Sequence, residues 1–187
     1  MAEIELEFRR PVDRRSCIGG SDAHIIMGAD EAALVRLWRV KRGEAEPEDL
    51  SGNLVVQLGS ATEELNRSWY ERNTGRHVTD VQRRVRHSAI PWMVATLDGI
   101  VEGAGAVFQA KFMLPWSFSE EAAVEKYMAQ LQHNMWVTHL RTAVLSIITG
   151  GGSGSRSHSP WIRSISASWC RRKKSSGAAC NPAKRPT

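Results

Sequence analysis

Three extended runs, His77 to His87, Trp92 to Val101 and Ala106 to Phe112, stand between two stretches of helical periodicity, and this order most limits the possible folds. Pro91, Gly103 and Gly105 punctuate the runs, as expected of consecutive strands joined by tight turns. Upstream, Leu58, Ala61, Leu65 and Trp69 recur every three or four residues and Gly75 supplies a stop, so a helix is predicted over Ser60 to Thr74. Downstream, Val124, Met128, Leu131 and Met135 form the buried stripe of a helix over about Glu120 to Thr138, and Ala143 to Thr149 has the character of another strand. At the other end, the glycine-bearing turn Ile18-Gly19-Gly20-Ser21-Asp22 feeds short helices within Arg14 to Arg42. Helices, three strands, a helix and a strand suit an α/β fold with a mixed central sheet flanked by helices.

The chain of 187 residues is 42% hydrophobic, enough to bury the core of one domain and to exclude a fibrous or wholly disordered class. The apolar run 143–148 is far too short to span a bilayer, and the acidic start lacks the charge order of a signal peptide, so a cytoplasmic protein is expected. Cys17, Cys170 and Cys180 include no C-x-x-C pair, which argues for reduced thiols over a zinc site or disulfide framework. The net charge of +5 is unevenly placed: residues 1–150 carry 17 basic against 20 acidic side chains, a net of −3. DNA binding by the folded part must therefore rest on individually placed residues.

Two such residues stand out. Asp98 follows the run Met93 to Leu97, and Lys111 lies on the next run, so adjacent strand ends bring a carboxylate and an ammonium to one point. Phosphodiester hydrolysis needs this arrangement: carboxylates hold Mg²⁺, the metal activates water, and the ammonium steadies developing charge. Taken singly, Asp98 before Gly99 is equally a hairpin-turn residue, and Lys111 a strand-end charge snorkelling to solvent.

The residues Arg14-Arg15, Ile18-Gly-Gly-Ser-Asp-Ala23, Gly59-x-x-x-Glu63, Pro91-Trp-x-x-Ala-Thr-Leu-Asp-Gly99, Gln109-x-Lys111 and Tyr127-Met-Ala-Gln-Leu-Gln132 form an ordered series. It resembles the motifs of the YqaJ-like viral recombinase and lambda-type phage exonuclease family, within the PD-(D/E)xK, restriction-endonuclease-like nucleases, and covers about Arg14 to Gly150. The resemblance implies that Glu63, Asp98 and Gln109, with the main chain of Ala110, surround Mg²⁺, with Mn²⁺ as an alternative, and that Lys111 is the catalytic lysine. Glu63 also fits a capping box with Ser60, in which it would close the first turn of its own helix. Ser21 with Arg14 or Arg15 would grip a terminal 5′-phosphate, for which a hydroxyl, turn amides and a guanidinium are suitable groups. Gln130 and Gln132 match the paired glutamines of the family's long helix; two residues apart they cannot share a face, and Gln130 is favoured for the site, with Gln132 toward the phosphate. His133 and His139 are expected as solvent-facing helix residues.

The implied activity is metal-dependent 5′-to-3′ digestion of linear duplex DNA in phage recombination, with DNA ends, a single-strand annealing protein and a homo-trimer as implied partners. Two departures leave an alternative open, a catalytically inactive DNA-end-binding prophage remnant. The first is Gln109, which stands where the family pattern has Glu and removes one negative charge from the metal site. The second is the tail 151–187, Ser-rich and basic with no periodicity. A displaced reading frame there permits a string with acidic residues, helical spacing and a Gly/Pro stop, similar to the family's closing helix; the rival is a basic arm on the DNA backbone. An exonuclease domain over 1–150, incomplete at its C-terminal end, and an out-of-frame, disordered tail are accordingly expected.

Overall fold

The computed structural model describes residues 14–150 and 161–166. A 3₁₀ turn at Arg14–Ser16 leads to helices α1 (Gly20–Met27), α2 (Glu31–Lys41) and α3 (Leu54–Thr74). Strands β1 (Val78–Thr79), β2 (Arg84–Arg86), β3 (Val94–Thr96), β4 (Gly99–Val101) and β5 (Ala106–Met113) follow, then α4 (Glu120–Val137), β6 (Thr142–Thr149) and β7 (Trp161–Ser166). Five strands form one sheet in the order β1-β4-β5-β6-β7, and β2 pairs with β3 apart from it. Among the described strands of this sheet only β5 and β6 are parallel, joined by the crossover through α4, so the sheet is mixed as expected.

Alternation along the two central strands divides the core. Val107 and Met113 of β5 with Ala143, Leu145 and Ile147 of β6 pack beneath Leu131 and Met135 of α4. Phe108 and Ala110 with Val144 face the other way and pack with Tyr70 of α3. Helices thus cover both faces, which explains the nearly unbroken apolar character of β5 and β6. Gln109 and Ser146 are the buried polar exceptions.

Several expectations are corrected. The predicted runs 77–87 and 92–101 each break into two strands in different sheets, because left-handed residues at Asp80 and Gln82 turn the first and the chain switches sheets at Leu97 and Asp98 in the second. Asp98 is therefore not the corner of a hairpin; the adjoining Gly99 is required because a Cβ there would lie 2.2 Å from the Val78 side chain. Helix α3 starts six residues before Ser60, with Asn53 accepting from the amides of Val55 and Val56. His133, expected in solvent, is buried, its Nε2 2.8 Å from the Val94 carbonyl, since α4 turns that face onto β3. His139 is exposed as expected, although it lies past the helix end with a φ of 57°. Within the tail, Trp161–Ser166 runs as β7 against β6, an element without a periodic signal in the sequence. The other tail residues, Cys170 and Cys180 among them, lie outside the described residues.

Candidate active site

Asp98 owes its position to the offset between β4 and β5. Gly99 pairs with Phe108, so the Ala110 amide lies beyond the end of β4. The Asp98 carboxylate takes that amide at 2.8 Å, and the same oxygen accepts from the side-chain amide of Gln109. Gln109 is in turn held by Asn134 of α4, whose Nδ2 donates to Gln109 Oε1 at 3.0 Å.

Glu63 arrives from the opposite face of the sheet. Because α3 begins at Leu54, Ser60 is an interior helical residue and cannot form the capping box. The Glu63 carboxylate instead accepts from Gln82 Nε2. Asn66, one turn later, fixes the helix to the sheet: its Nδ2 donates to the carbonyls of Ser146 and Lys111 at 2.9 and 3.3 Å, and its Oδ1 accepts from the Ser146 hydroxyl at 2.6 Å. Asn66 thereby sets Glu63 beside the lysine of β5. Its signal in the sequence is weak, a single Asn within the Leu65 and Trp69 stripe.

Asp98 and Lys111 act on one another, and Glu63 acts on both. Burial lifts Asp98 from 3.8 to about 6, with Lys111 opposing the rise and Glu63 adding to it. Burial pushes Lys111 down, opposed by Asp98 and Glu63 and reinforced by Lys126. The Lys111 ammonium also lies 5.4 Å from the Tyr127 ring centroid, on the helix that carries Gln130. Burial raises the Tyr127 hydroxyl, which keeps it protonated.

Beside this cluster stands the glycine turn. Ile18 joins it to the start of β3, its amide donating to the Trp92 carbonyl at 2.7 Å and its carbonyl accepting from Val94 at 3.0 Å. Ser21 is exposed in the first turn of α1, next to helix amides suited to an anion. Asp22 accepts from the Gly19 amide at 2.8 Å and would repel an anion, but Lys41 of α2 compensates its charge at 2.7 Å. The same ammonium takes the carbonyls of Arg14 and Cys17, each at 2.7 Å, so one side chain binds the 3₁₀ turn, the loop and α1. Nothing periodic in the sequence marks Lys41; Asp22 could be found from its spacing to Gly19.

Arg14 is exposed, whereas Arg15 is bound to Glu46 at 3.0 Å. Gln130 lies against Gly20, where a Cβ would come within 2.9 Å of its Cγ. Gln132 turns back along its helix, donating to the Met128 sulfur at 3.4 Å. Glu63, Asp98, Gln109, Ala110 and Lys111 are thus brought together, Ser21 and Gln130 border the glycine turn, and Gln132 is directed elsewhere.

Two carboxylates and neighbouring amide oxygens are a hard donor set, which fits a divalent cation such as Mg²⁺ in kind. A hydrogen of the Gln109 amide rests on Asp98, so this point attracts positive charge. Among the described residues no three His, Cys, Asp or Glu side chains converge, and the site is one anion poorer than with Glu at position 109.

Among solved structures, the fold is similar to an alkaline exonuclease from Laribacter hongkongensis, with a TM-score of 0.66 at 18% identity, covering 86% of this chain and 82% of that one. It is also similar to a phage related exonuclease from Haemophilus somnus 129PT, with a TM-score of 0.62 at 16% identity, covering 80% and 84%. Both likenesses establish the fold alone. An uncharacterized protein, YqaJ of Bacillus subtilis, is 29% identical over 146 residues, which take in 75% of this chain and 46% of that one, so the chain spans about half the relative's length. The YqaJ-like viral recombinase domain matches residues 12–141, from the 3₁₀ turn through α4, and the chain belongs to that family.

Proposed function

We propose that the chain is a divalent-metal-dependent exonuclease that digests linear duplex DNA in the 5′-to-3′ direction, serving phage recombination together with a single-strand annealing protein. The observation that carries this reading is the meeting of Glu63, Asp98 and Lys111, from three separate elements, at one half-buried point where Asp98 and Lys111 act on one another and Glu63 acts on both. In this reading Asp98 and Glu63, with the amide oxygen of Gln109 and the main chain of Ala110, hold Mg²⁺ or Mn²⁺. The cation supplies polarisation of the scissile phosphate and a more acidic water. Lys111 places its ammonium beside the phosphate, where a group with a lowered pKa can steady charge and move a proton. Ser21, Arg14 and the amides of the glycine turn receive the 5′-phosphate, and Gln130 lies against the turn. The geometry favours Arg14 over Arg15, because Arg15 is already bound to Glu46.

The test is nucleotide release from linear duplex DNA with Mg²⁺ or Mn²⁺. Release is expected to vanish in Asp98→Ala and Lys111→Ala, and to rise by on the order of tenfold or more in Gln109→Glu, which restores an anionic ligand. No release from the unaltered chain or from Gln109→Glu would overturn the reading.

One observation favours the alternative of an end-binding protein that does not cut. Gln109 presents a hydrogen to Asp98 where a cation is required. On that alternative, 5′-phosphorylated ends bind and stay intact, and Gln109→Glu restores cutting.

A further inference from the structure

Asn134 poses a hydrogen-bonding problem. Its side chain is 1% exposed, its Nδ2 donates to Gln109 Oε1, and its Oδ1 is the one buried side-chain oxygen or nitrogen among the described residues without a partner. A buried acceptor left unpaired has given up its water without a replacement and is destabilising. This oxygen points at the glycine turn, where a Cβ on Gly20 would lie 2.8 Å from it.

The adjoining Gln109 has the opposite difficulty. Its donor rests on Asp98 and its oxygen, the only atom it can offer a cation, faces away toward Asn134. Turning Gln109 alone by half a turn would bring Nε2 against Nδ2, donor against donor. Turning both amides removes the conflict: Gln109 Oε1 then faces Asp98, and Gln109 Nε2 donates to Asn134 Oδ1. Without a cation this second arrangement sets Oε1 against a carboxylate oxygen and is disfavoured. A positive charge between those two oxygens reverses the preference.

We propose that Gln109 and Asn134 are a tandem amide switch, in which both side chains turn together when a divalent cation binds beside Asp98, so that a glutamine serves where a carboxylate would need no rearrangement. The turned Asn134 directs its Nδ2 at Gly20 and at the Gln130 side chain lying on it, whose Nε2 is the amide atom against the turn, so Gln130 must turn as well to offer its oxygen as the acceptor. Metal binding thereby replaces an acceptor by a donor next to the turn read as the 5′-phosphate grip. Each change is reciprocal, so an anion at the turn and a cation at Asp98 favour one another. Asn134 is a positioning residue here and touches neither ligand.

The inference rests on the proposed cation site, and one experiment separates the two. The full chain, labelled at its Asn and Gln side chains, is titrated with Mg²⁺ alone and followed by NMR. In the metal-free chain, contacts of the Gln109 amide protons to the Asp98 methylene are expected. With Mg²⁺ these should give way to contacts with the Asn134 methylene, and both amide groups should shift in step. In Gln109→Glu either carboxylate oxygen serves, so the Asn134 amide should keep its position while Mg²⁺ binds at least tenfold more tightly. Mg²⁺ binding to the unaltered chain, seen at Asp98 and Glu63, with both amides unmoved would overturn the switch and leave the cation site standing. Absence of Mg²⁺ binding from both forms would overturn the cation site and the switch with it. The first comparison needs no variant, so the switch is decided even if Gln109→Glu does not fold.

Discussion

The Lys41 ammonium lies 2.7 Å from the Asp22 carboxylate and compensates the negative charge that Asp22 sets beside the glycine turn. Both side chains are less than a fifth exposed, at 17% and 19%. Lys41→Met should strand the Asp22 charge and two carbonyls, costing about 2–3 kcal/mol and lowering the melting temperature by roughly 5–10 °C. It should also abolish the preference for 5′-phosphorylated over 5′-hydroxyl ends, measured by titration at fixed salt. Asp22→Asn, which keeps an acceptor, should lose less stability.

Asn66 joins α3 to β5 and β6 with every side-chain group satisfied. Asn66→Ala leaves the Ser146 hydroxyl and carbonyl without this partner and is expected to cost about 2–4 kcal/mol, while Ser146→Ala should cost about 1–2 kcal/mol. Denaturant unfolding of the double variant should show a loss smaller than the two combined, because they remove one shared interaction. Additive losses would show the pair to be independent.

Asp98 places function against stability. Its folded pKa of about 6 lies above 3.8, so the native state binds the proton more tightly. The favourable contribution is complete below 3.8, declines as pH rises, and is lost above about 6. The shift corresponds to on the order of 3 kcal/mol of destabilisation at neutral pH without metal. Asp98→Asn should consequently be more stable at pH 7.5, no more stable near pH 3.5, and unable to release nucleotides, as thermal unfolding across pH and the nuclease assay would show.

Gly20 and Gly59 should respond in opposite ways to alanine. At Gly20 a Cβ would sit 2.8 Å from a fully buried Asn134 oxygen, so Gly20→Ala must part α1 from α4 and is expected to cost about 1–3 kcal/mol. At Gly59, inside α3, a Cβ meets nothing within 4 Å, so Gly59→Ala should gain about 0.5–1 kcal/mol. Chemical denaturation of both variants tests the pair.

The sequence by itself determined the layered α/β character and the ordered motif series. Both are local properties: hydrophobic periodicity sets each element's type, and the spacing of Asp98 and Lys111 on neighbouring runs already converges two charges. What only tertiary structure decided were matters settled between distant segments. The capping-box spacing of Ser60 and Glu63 is real, but a helix that begins at Leu54, capped by Asn53, takes Ser60 into its interior and leaves Glu63 for the site. His133 is an unremarkable polar residue by pattern, yet packing against β3 buries it. Asn66, Lys41 and Asn134 carry little signal in their own neighbourhoods, since their partners lie 80, 19 and 25 residues away. Gln109 is visible in the sequence as one missing charge; that its amide rests on Asp98, with Asn134 behind it, exists only because β5, α4 and the end of β3 fold onto one another.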